Sequence, residues 1–388
     1  MKTRRQIARR NPEHSPAEAE PAHSHPSNAL RAGAIALITS LLLTAPAALL
    51  AKTAKKKVPR PHVPRNTLLI RRRDATELPD DQELPGLAAI CAACLGESEL
   101  VAGPGAGPVE FLLRGYTPGS RATIEARAAG RRVAIKVYAR DPAPEARLYQ
   151  ALAAAGLCGD FGVRVPPLLV WERDLRLLVI GWLEGPTAGQ LVHGGQGQRA
   201  GQLAAAWIQR AASLRLNLGP TFGAERMLHR ARQWAAQMSA AWPAVGTAAQ
   251  ALVARLEGSQ PREEPRRLVH GTFYARHILD LGDGPGVIDR MRFGQGPLEL
   301  DAGMFLASIW RLGLRQPALA GEAARAKVAF LAGTVGLLDP RALAWHRAAA
   351  LLRLADKQLD HRHGDWRAWT RSLLREATRL APRIGGCV

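Results

Sequence analysis

The chain has 388 residues, 47% hydrophobic and 22% charged, which excludes both a single small domain and a disordered polymer. Fifty-three Lys and Arg stand against 33 Asp and Glu, a net of +20 that at face value suggests a polyanion partner. The excess is concentrated, however: residues 1–73 hold 15 basic and three acidic residues, so this stretch carries +12 and the remaining 315 residues +8. Only eight of the cations are Lys, and beyond Lys57 only Lys136, Lys327 and Lys357 remain. The body uses Arg almost wherever it needs a cation. With no interleaved stripe of Arg and aromatic residues, its charge does not point to nucleic acid.

Residues 1–31 read as a disordered basic tail. Between Arg31 and Lys52, residues 32–51 are uncharged; as a helix rising about 1.5 Å per residue they would span a hydrocarbon core of about 30 Å. Three readings stand: a membrane anchor, a cleaved signal peptide ending near Ala45-Pro46-Ala47, or an upstream extension from a misassigned start. Lys52, Lys55, Lys56, Lys57, Arg60, Arg65 and Arg71 follow the run within twenty residues while only Arg31 stands in the twenty before it, so an anchor would hold the body on the cytoplasmic side of the inner membrane, although Arg4, Arg5, Arg9 and Arg10 oppose that orientation. Residues 52–80, rich in Pro and cations, read as linker. Cys91 and Cys94 form a CxxC without a second ligand pair, and in their Ala/Leu run they read as small helix residues rather than a zinc or redox site.

From Val109 the pattern alternates: VEFLLRGY, a turn at Thr117-Pro118-Gly119-Ser120, RATIEARA, a turn at Ala129-Gly130, then RVAIKVY. This is an antiparallel meander. A helix follows from about Pro144 to Ala155, then PLLVWE and LRLLVIGWLEG pair as a hairpin. After Gly185-Pro186 amphipathic helices are expected at 198–216, 222–241 and 244–257, then at 298–315, 320–337, 339–358 and 364–381, with short apolar segments near 268, 278 and 287 between the two sets. The expected class is therefore α+β and two-lobed, in the order of the protein-kinase-like fold: a β-rich lobe at 81–184 with one helix and a helical lobe at 185–388.

Lys136 sits within Val133-Ala-Ile-Lys-Val-Tyr138. A lone Lys in a chain this poor in Lys marks a place that wants a compact ammonium rather than a planar fork. The plainer reading is an exposed residue on a two-faced strand, but Glu145 lies nine residues on, and a strand Lys paired with a helix Glu is how kinases position nucleotide phosphates.

The segment Leu268-Val-His-Gly-Thr-Phe-Tyr-Ala-Arg-His-Ile-Leu279, then Gly286-Val-Ile-Asp289 and Gly296-Pro-Leu-Glu-Leu-Asp301, resembles the aminoglycoside phosphotransferase and choline kinase-like family. There a loop H-G-D-x-x-x-x-N precedes a strand ending in I-D and a G-x-P-x-x-D helix start. The resemblance implies ATP and Mg²⁺ as cofactors, Lys136 and Glu145 as ATP-binding residues, Asp289 as metal ligand and Asp301 as the structural acid. His270 and Gly271 match the loop's opening. Thr272 stands where the family has its catalytic Asp, and His277 where it has an Asn ligand. Thr cannot take a hydroxyl proton as a carboxylate does, and imidazole suits Mg²⁺ poorly. The expected function is ATP-dependent phosphotransfer to a small-molecule hydroxyl, weak or atypical; the alternative is an inactive pseudokinase serving as a nucleotide-binding or regulatory module at a membrane.

Further residues have plainer expectations. Arg290 and Arg292 read as solvated loop cations, Asp280 and Asp283 as carried away from the centre by the strand at Ile278, and the run Asp360-His-Arg-His-Gly-Asp365 as capping rather than metal binding. Residues 301–388 hold fourteen Lys and Arg against seven Asp and Glu. A neutral or anionic small molecule is the expected partner, besides nucleotide, rather than a polycation.

Overall fold

The computed structural model describes residues 68–70, 78–95 and 109–382, apart from 129, 264, 265 and 361. The basic tail, the apolar run at 32–51, most of the 52–80 linker and the Cys94 side chain lie outside the described residues. Among the described residues no helix is long and apolar enough to cross a membrane.

The first lobe is built on β1 (Leu68–Ile70), α1 (Pro85–Leu95), β2 (Glu110–Thr117), β3 (Arg121–Ala128), β4 (Arg131–Tyr138), α2 (Ala143–Ala154), β5 (Leu168–Glu172) and β6 (Leu177–Gly181). The strands form one antiparallel sheet in the order β1-β2-β3-β4-β6-β5. The meander and the hairpin thus join through β4 and β6. One element was not expected, β1, which falls within the stretch read as linker; α1 is the helix in which Cys91 and Cys94 were read, and it gives the lobe a second helix.

Those additions change what β4 is. Its last six residues, Val133 to Tyr138, are all buried, because both faces of the strand are covered. Val133, Ile135 and Val137 pack with Leu84, Leu87 and Ile90 around α1, while Ala134 and Tyr138 meet Tyr149 and Ala146 of α2. Gly86 lets α1 approach: a Cβ there would lie 2.7 Å from the Leu175 carbonyl oxygen and 3.0 Å from Val137. Period-2 alternation places Lys136 on the α2 face.

The second lobe contains α3 (Ala188–His193), α4 (Gly197–Ser213), α5 (Ala224–Ala241), α6 (Pro243–Glu257), α7 (Leu298–Arg315), α8 (Ala320–Gly333), α9 (Pro340–Asp360) and α10 (Trp366–Leu380). Between α6 and α7 run β7 (Arg267–Val269), a 3₁₀ turn at Ala275–His277, β8 (Ile278–Asp280), β9 (Pro285–Val287) and β10 (Gly294–Gly296). They pair as two short antiparallel ribbons, β7 with β10 and β8 with β9. Helix α3 escapes a periodicity reading because it is only six residues long, though Thr187 and Gln190 give it a full capping box.

Two apolar clusters hold this lobe. One joins α4, α7 and α8 beneath the 270s loop through Trp207, Phe273, Phe305 and Phe330, whose successive ring centroids lie 6.4, 6.1 and 5.0 Å apart. The other packs α5, α6, α9 and α10 together around Met238, Leu256 and Trp345. The 270s loop and Asp289 are thereby mounted on a rigid base facing α2 and β4.

Candidate active site

Lys136 is 6% exposed. It is not the surface residue that a two-faced strand would allow. Its ammonium donates to Glu145 Oε1 of α2, and Tyr138, two residues along the same strand face, donates its hydroxyl to Glu145 Oε2 at 2.7 Å. Burial works against the ammonium, but Glu145, Tyr138, Tyr149 and Asp289 outweigh it and hold its pKa well above the ordinary lysine value. Lys136 stays charged at any working pH.

Asp289 lies beyond β9, with Oδ1 at 4.0 Å from the Lys136 ammonium. Its φ of +60° puts a non-glycine residue in the left-handed region, a strain that Asp tolerates better than most residues and that turns its carboxylate toward the cleft. The side chain keeps 43% of its exposure. Burial would raise its pKa, but its neighbours, the Lys136 ammonium first among them, hold it below the ordinary carboxylate value. An ionised, half-exposed carboxylate therefore faces a buried ammonium.

Asp301, in the first turn of α7, organises the loop. Its carboxylate accepts from the backbone N–H of His270 at 2.6 Å and of Gly271 at 2.9 Å. Burial pushes its pKa up to about 6 against these two donors and Arg290. Gly271 has φ +73°, and a Cβ there would sit 2.0 Å from the Arg292 carbonyl oxygen. Only glycine fits this crossing.

The loop's two departures from the family pattern are occupied internally. The Thr272 hydroxyl lies 3.2 Å from His270 Nδ1, and His270 Nε2 lies 2.8 Å from the Ile288 carbonyl oxygen. A neutral ring with its proton on Nε2 satisfies both contacts, the hydroxyl donating to Nδ1. Burial, followed by the Arg290 charge, drives the His270 pKa well below its usual value. His277 Nδ1 donates to the Thr272 carbonyl oxygen at 2.7 Å, and Arg276 Nε donates to His277 Nε2 at 2.9 Å. Burial lowers the His277 pKa to about 4, although Asp289, 3.4 Å from Nε2, pulls the other way. The two imidazoles stack at 5.5 Å with 12° between their planes. Both are neutral, and neither has a free ring nitrogen.

For Mg²⁺ the donor set is uneven. Asp289 offers a hard, ionised oxygen with solvent access, which suits an ion that shares its shell with phosphate oxygens and water. His277 offers a neutral nitrogen already bonded to a guanidinium, so it does not fit as a second ligand. Among the described residues no group of three or more His, Cys, Asp and Glu side chains could hold a metal by itself.

Of the residues singled out in the sequence, the fold brings together Lys136, Glu145, Asp289, His270, Thr272, His277 and Asp301. It leaves others elsewhere. Asp280 pairs with Arg199, Asp283 with Arg164, and Asp360 with Lys357. The expectation for Arg290 is overturned: it is not a solvated loop cation but fully buried, with its guanidinium 4.5 Å from the Trp207 ring centroid. Its three nitrogens find no protein hydrogen-bond partner, and burial lowers its pKa to about 10. Arg292 is exposed. Tyr138 was missed, although its position two residues from Lys136 was the available signal.

An ammonium paired with a helix carboxylate, an Asp just beyond β9 facing it and an Asp-anchored loop beside them make an arrangement of the kind kinases use to position nucleotide phosphates. Residues 120–337 match the family described as "Phosphotransferase enzyme family", and the chain belongs to this APH phosphotransferase family. Among solved structures, it resembles aminoglycoside phosphotransferase APH(4)-Ia, with 18% identity, a TM-score of 0.52 and coverage of 71% of this chain and 95% of that one. A choline/ethanolamine kinase family protein from Mesorhizobium loti gives 18% identity, a TM-score of 0.49 and coverage of 76% of this chain and 94% of that one. No curated protein sequence matches the chain. At 18% identity the likeness to APH(4)-Ia speaks for the protein-kinase-like fold alone.

Proposed function

We propose that the chain binds ATP with Mg²⁺ and transfers the γ-phosphoryl group to a small-molecule hydroxyl without a carboxylate base. The observation that carries this reading is the buried Lys136–Glu145 pair with Asp289 at 4.0 Å from the ammonium. Glu145 and Tyr138 hold the ammonium in place, Lys136 grips phosphate oxygens, and Asp289 holds one Mg²⁺. When bound, that ion neutralises charge building on the phosphates. Phosphoryl transfer relies mainly on positioning and electrostatic stabilisation through a loose transition state, so a missing base slows the reaction without forbidding it.

The alternative, a nucleotide-binding module without turnover, is favoured by one specific observation. The Thr272 hydroxyl is directed to His270 rather than outward, and both His277 ring nitrogens are engaged. Melting-temperature titration with ATP, with and without Mg²⁺, tests the shared part of the two readings. The expected result is a nucleotide-dependent rise that Lys136→Ala and Asp289→Ala both remove; no rise in the unaltered protein refutes both. Single-turnover transfer from labelled ATP across a panel of hydroxyl compounds then separates them.

A further inference from the structure

Beside the 270s loop lies a cleft whose chemistry differs from the phosphate-gripping centre. It is lined by Gly271 of the loop, Arg292 just beyond Asp289, Arg226 and Arg230 of α5, and Arg353 of α9, with Phe222 forming part of the wall. Arg226 and Arg230 are one turn apart and share a helix face. Arg292 comes from the loop and Arg353 from a different helix, so separate parts of the chain deliver four guanidinium groups to one place. The cleft opens to solvent, and its floor is apolar, with Met227, Trp234, Leu300 and Met304 beneath the arginines.

These cations are not neutralised as others in the molecule are. Elsewhere Arg164, Arg199, Arg232 and Arg347 each meet a carboxylate. Among the described residues no carboxylate forms an ion pair with any of the four in the cleft. The Arg226 guanidinium lies 4.1 Å from the Phe222 ring centroid and 3.5 Å from the Thr221 carbonyl oxygen; that of Arg353 lies 5.6 Å from the Tyr274 ring. Asp356, on the same helix as Arg353, is buried and pushed up to about 6, and it leaves the other three unanswered. Partial covering of the guanidinium groups and then mutual repulsion lower the pKa of Arg230, through Arg226 and Arg353, and that of Arg292, through Arg353, Arg230 and Arg121. Guanidinium groups held together at this cost form a preorganised receptor for carboxylate or phosphate oxygens, which they grip in bidentate fashion.

The cleft also borders the site of transfer. Gly271 precedes Thr272 in the loop, and its backbone crosses against the Arg292 carbonyl, with Phe222 3.7 Å from where a Cβ would stand. We propose that this cleft is the acceptor subsite and that it anchors an anionic group, a carboxylate or phosphate, on the molecule whose hydroxyl is phosphorylated. The proposal rests on the phosphotransfer reading above for the word acceptor, while the anion site itself rests on the arginines alone. It excludes a polycationic aminoglycoside as the occupant, because four guanidinium groups would repel it.

The test uses the full chain and two probes, inorganic phosphate and glycerol 3-phosphate, at constant ionic strength set with chloride. Calorimetric titration is run on the unaltered protein, Arg230→Gln, Arg353→Gln and Lys136→Ala. The expected result is that both probes bind, that each Arg→Gln change weakens them about tenfold, and that Lys136→Ala abolishes ATP binding while both probes still bind. Glycerol and the aminoglycoside kanamycin should not compete with either probe. Binding equal in the unaltered protein and both Arg variants, or displacement of the probes by ATP alone without any effect of the Arg changes, overturns the proposal. No phosphate binding in the unaltered protein also overturns it, and this outcome does not depend on whether a variant folds. Failure of ATP to bind while phosphate binding still depends on Arg230 and Arg353 would remove the phosphotransfer reading and leave the anion site standing.

Discussion

Replacing Lys136 with Met tests whether the buried ammonium is locked to Glu145 or merely near it. Met keeps most of the methylene stem, so packing against β4 and α2 changes little. What changes is charge. Both side chains of the pair are almost sealed from solvent, 8% exposed for Lys136 and 5% for Glu145. The variant therefore leaves the Glu145 carboxyl group in the core without its cation, with only the Tyr138 hydroxyl to answer it. Removing one partner of a buried pair costs about 3–5 kcal/mol; the surviving Tyr138 bond puts the expected loss near the lower end, about 3 kcal/mol. Glu145→Gln in the same chain removes the orphaned carboxyl group while retaining an acceptor for Tyr138, so the double variant should lose only about 1–2 kcal/mol relative to the unaltered protein. Urea denaturation at pH 7 without nucleotide measures all four corners of this cycle. A loss below about 1 kcal/mol in Lys136→Met, or costs that add within about 0.5 kcal/mol, would show that the two groups are not coupled.

Stability should also respond to pH through His277. Its pKa falls from 6.5 to about 4 in the fold, so below pH 6.5 the unfolded chain binds the proton first and stability drops as pH falls toward 4. The drop amounts to about 3 kcal/mol; urea titrations at pH 7, 5.5 and 4 should show this component in the unaltered protein and not in His277→Asn, and equal pH profiles would refute it. For Arg290→Met the expectation is unchanged or slightly raised stability by thermal denaturation, because a buried guanidinium without a protein hydrogen-bond partner is removed, at the loss of one contact with Trp207. A loss beyond about 2 kcal/mol would mean that ordered water satisfies the group.

The helices of the second lobe were legible because they are long and amphipathic; Leu298–Arg315 falls at the residues that periodicity assigns. Of the short elements, β7, β8 and β9 showed as apolar segments near 268, 278 and 287, and others did not show. The three-residue β1 and β10 and the six-residue α3 contain too few repeats for a period to show. Lys136 stood out through the scarcity of Lys, a signal that burial did not enter. Its environment was illegible because alternation distinguishes the two faces of a strand but cannot say that both are covered. Arg290 fails for the related reason that a cation reads as solvated until the fold closes over it. The arginine cleft draws on positions 226, 230, 292 and 353, and only the packing of α5 and α9 against the loop reveals that they converge.

Thr272 and His277 are better understood as one substitution than as two. The Thr272 hydroxyl supplies the proton that His270 Nδ1 accepts, and its carbonyl takes the proton of His277 Nδ1. A carboxylate at 272 would have no proton to give. His270 would then have to move its own proton to Nδ1, losing the bond to the Ile288 carbonyl, or take up a second proton in a fully buried place where charge is strongly disfavoured. Restoring Asp at 272 alone therefore disturbs the stacked imidazole pair before it creates a base. The informative restoration is Thr272→Asp together with His277→Asn, which exchanges the second imidazole for an oxygen donor beside Asp289. If the loop is a phosphotransferase loop slowed by these two residues, single-turnover transfer should rise in the double variant and not in Thr272→Asp. If nucleotide binds both variants and neither transfers, the defect lies outside the loop and the reading without turnover stands.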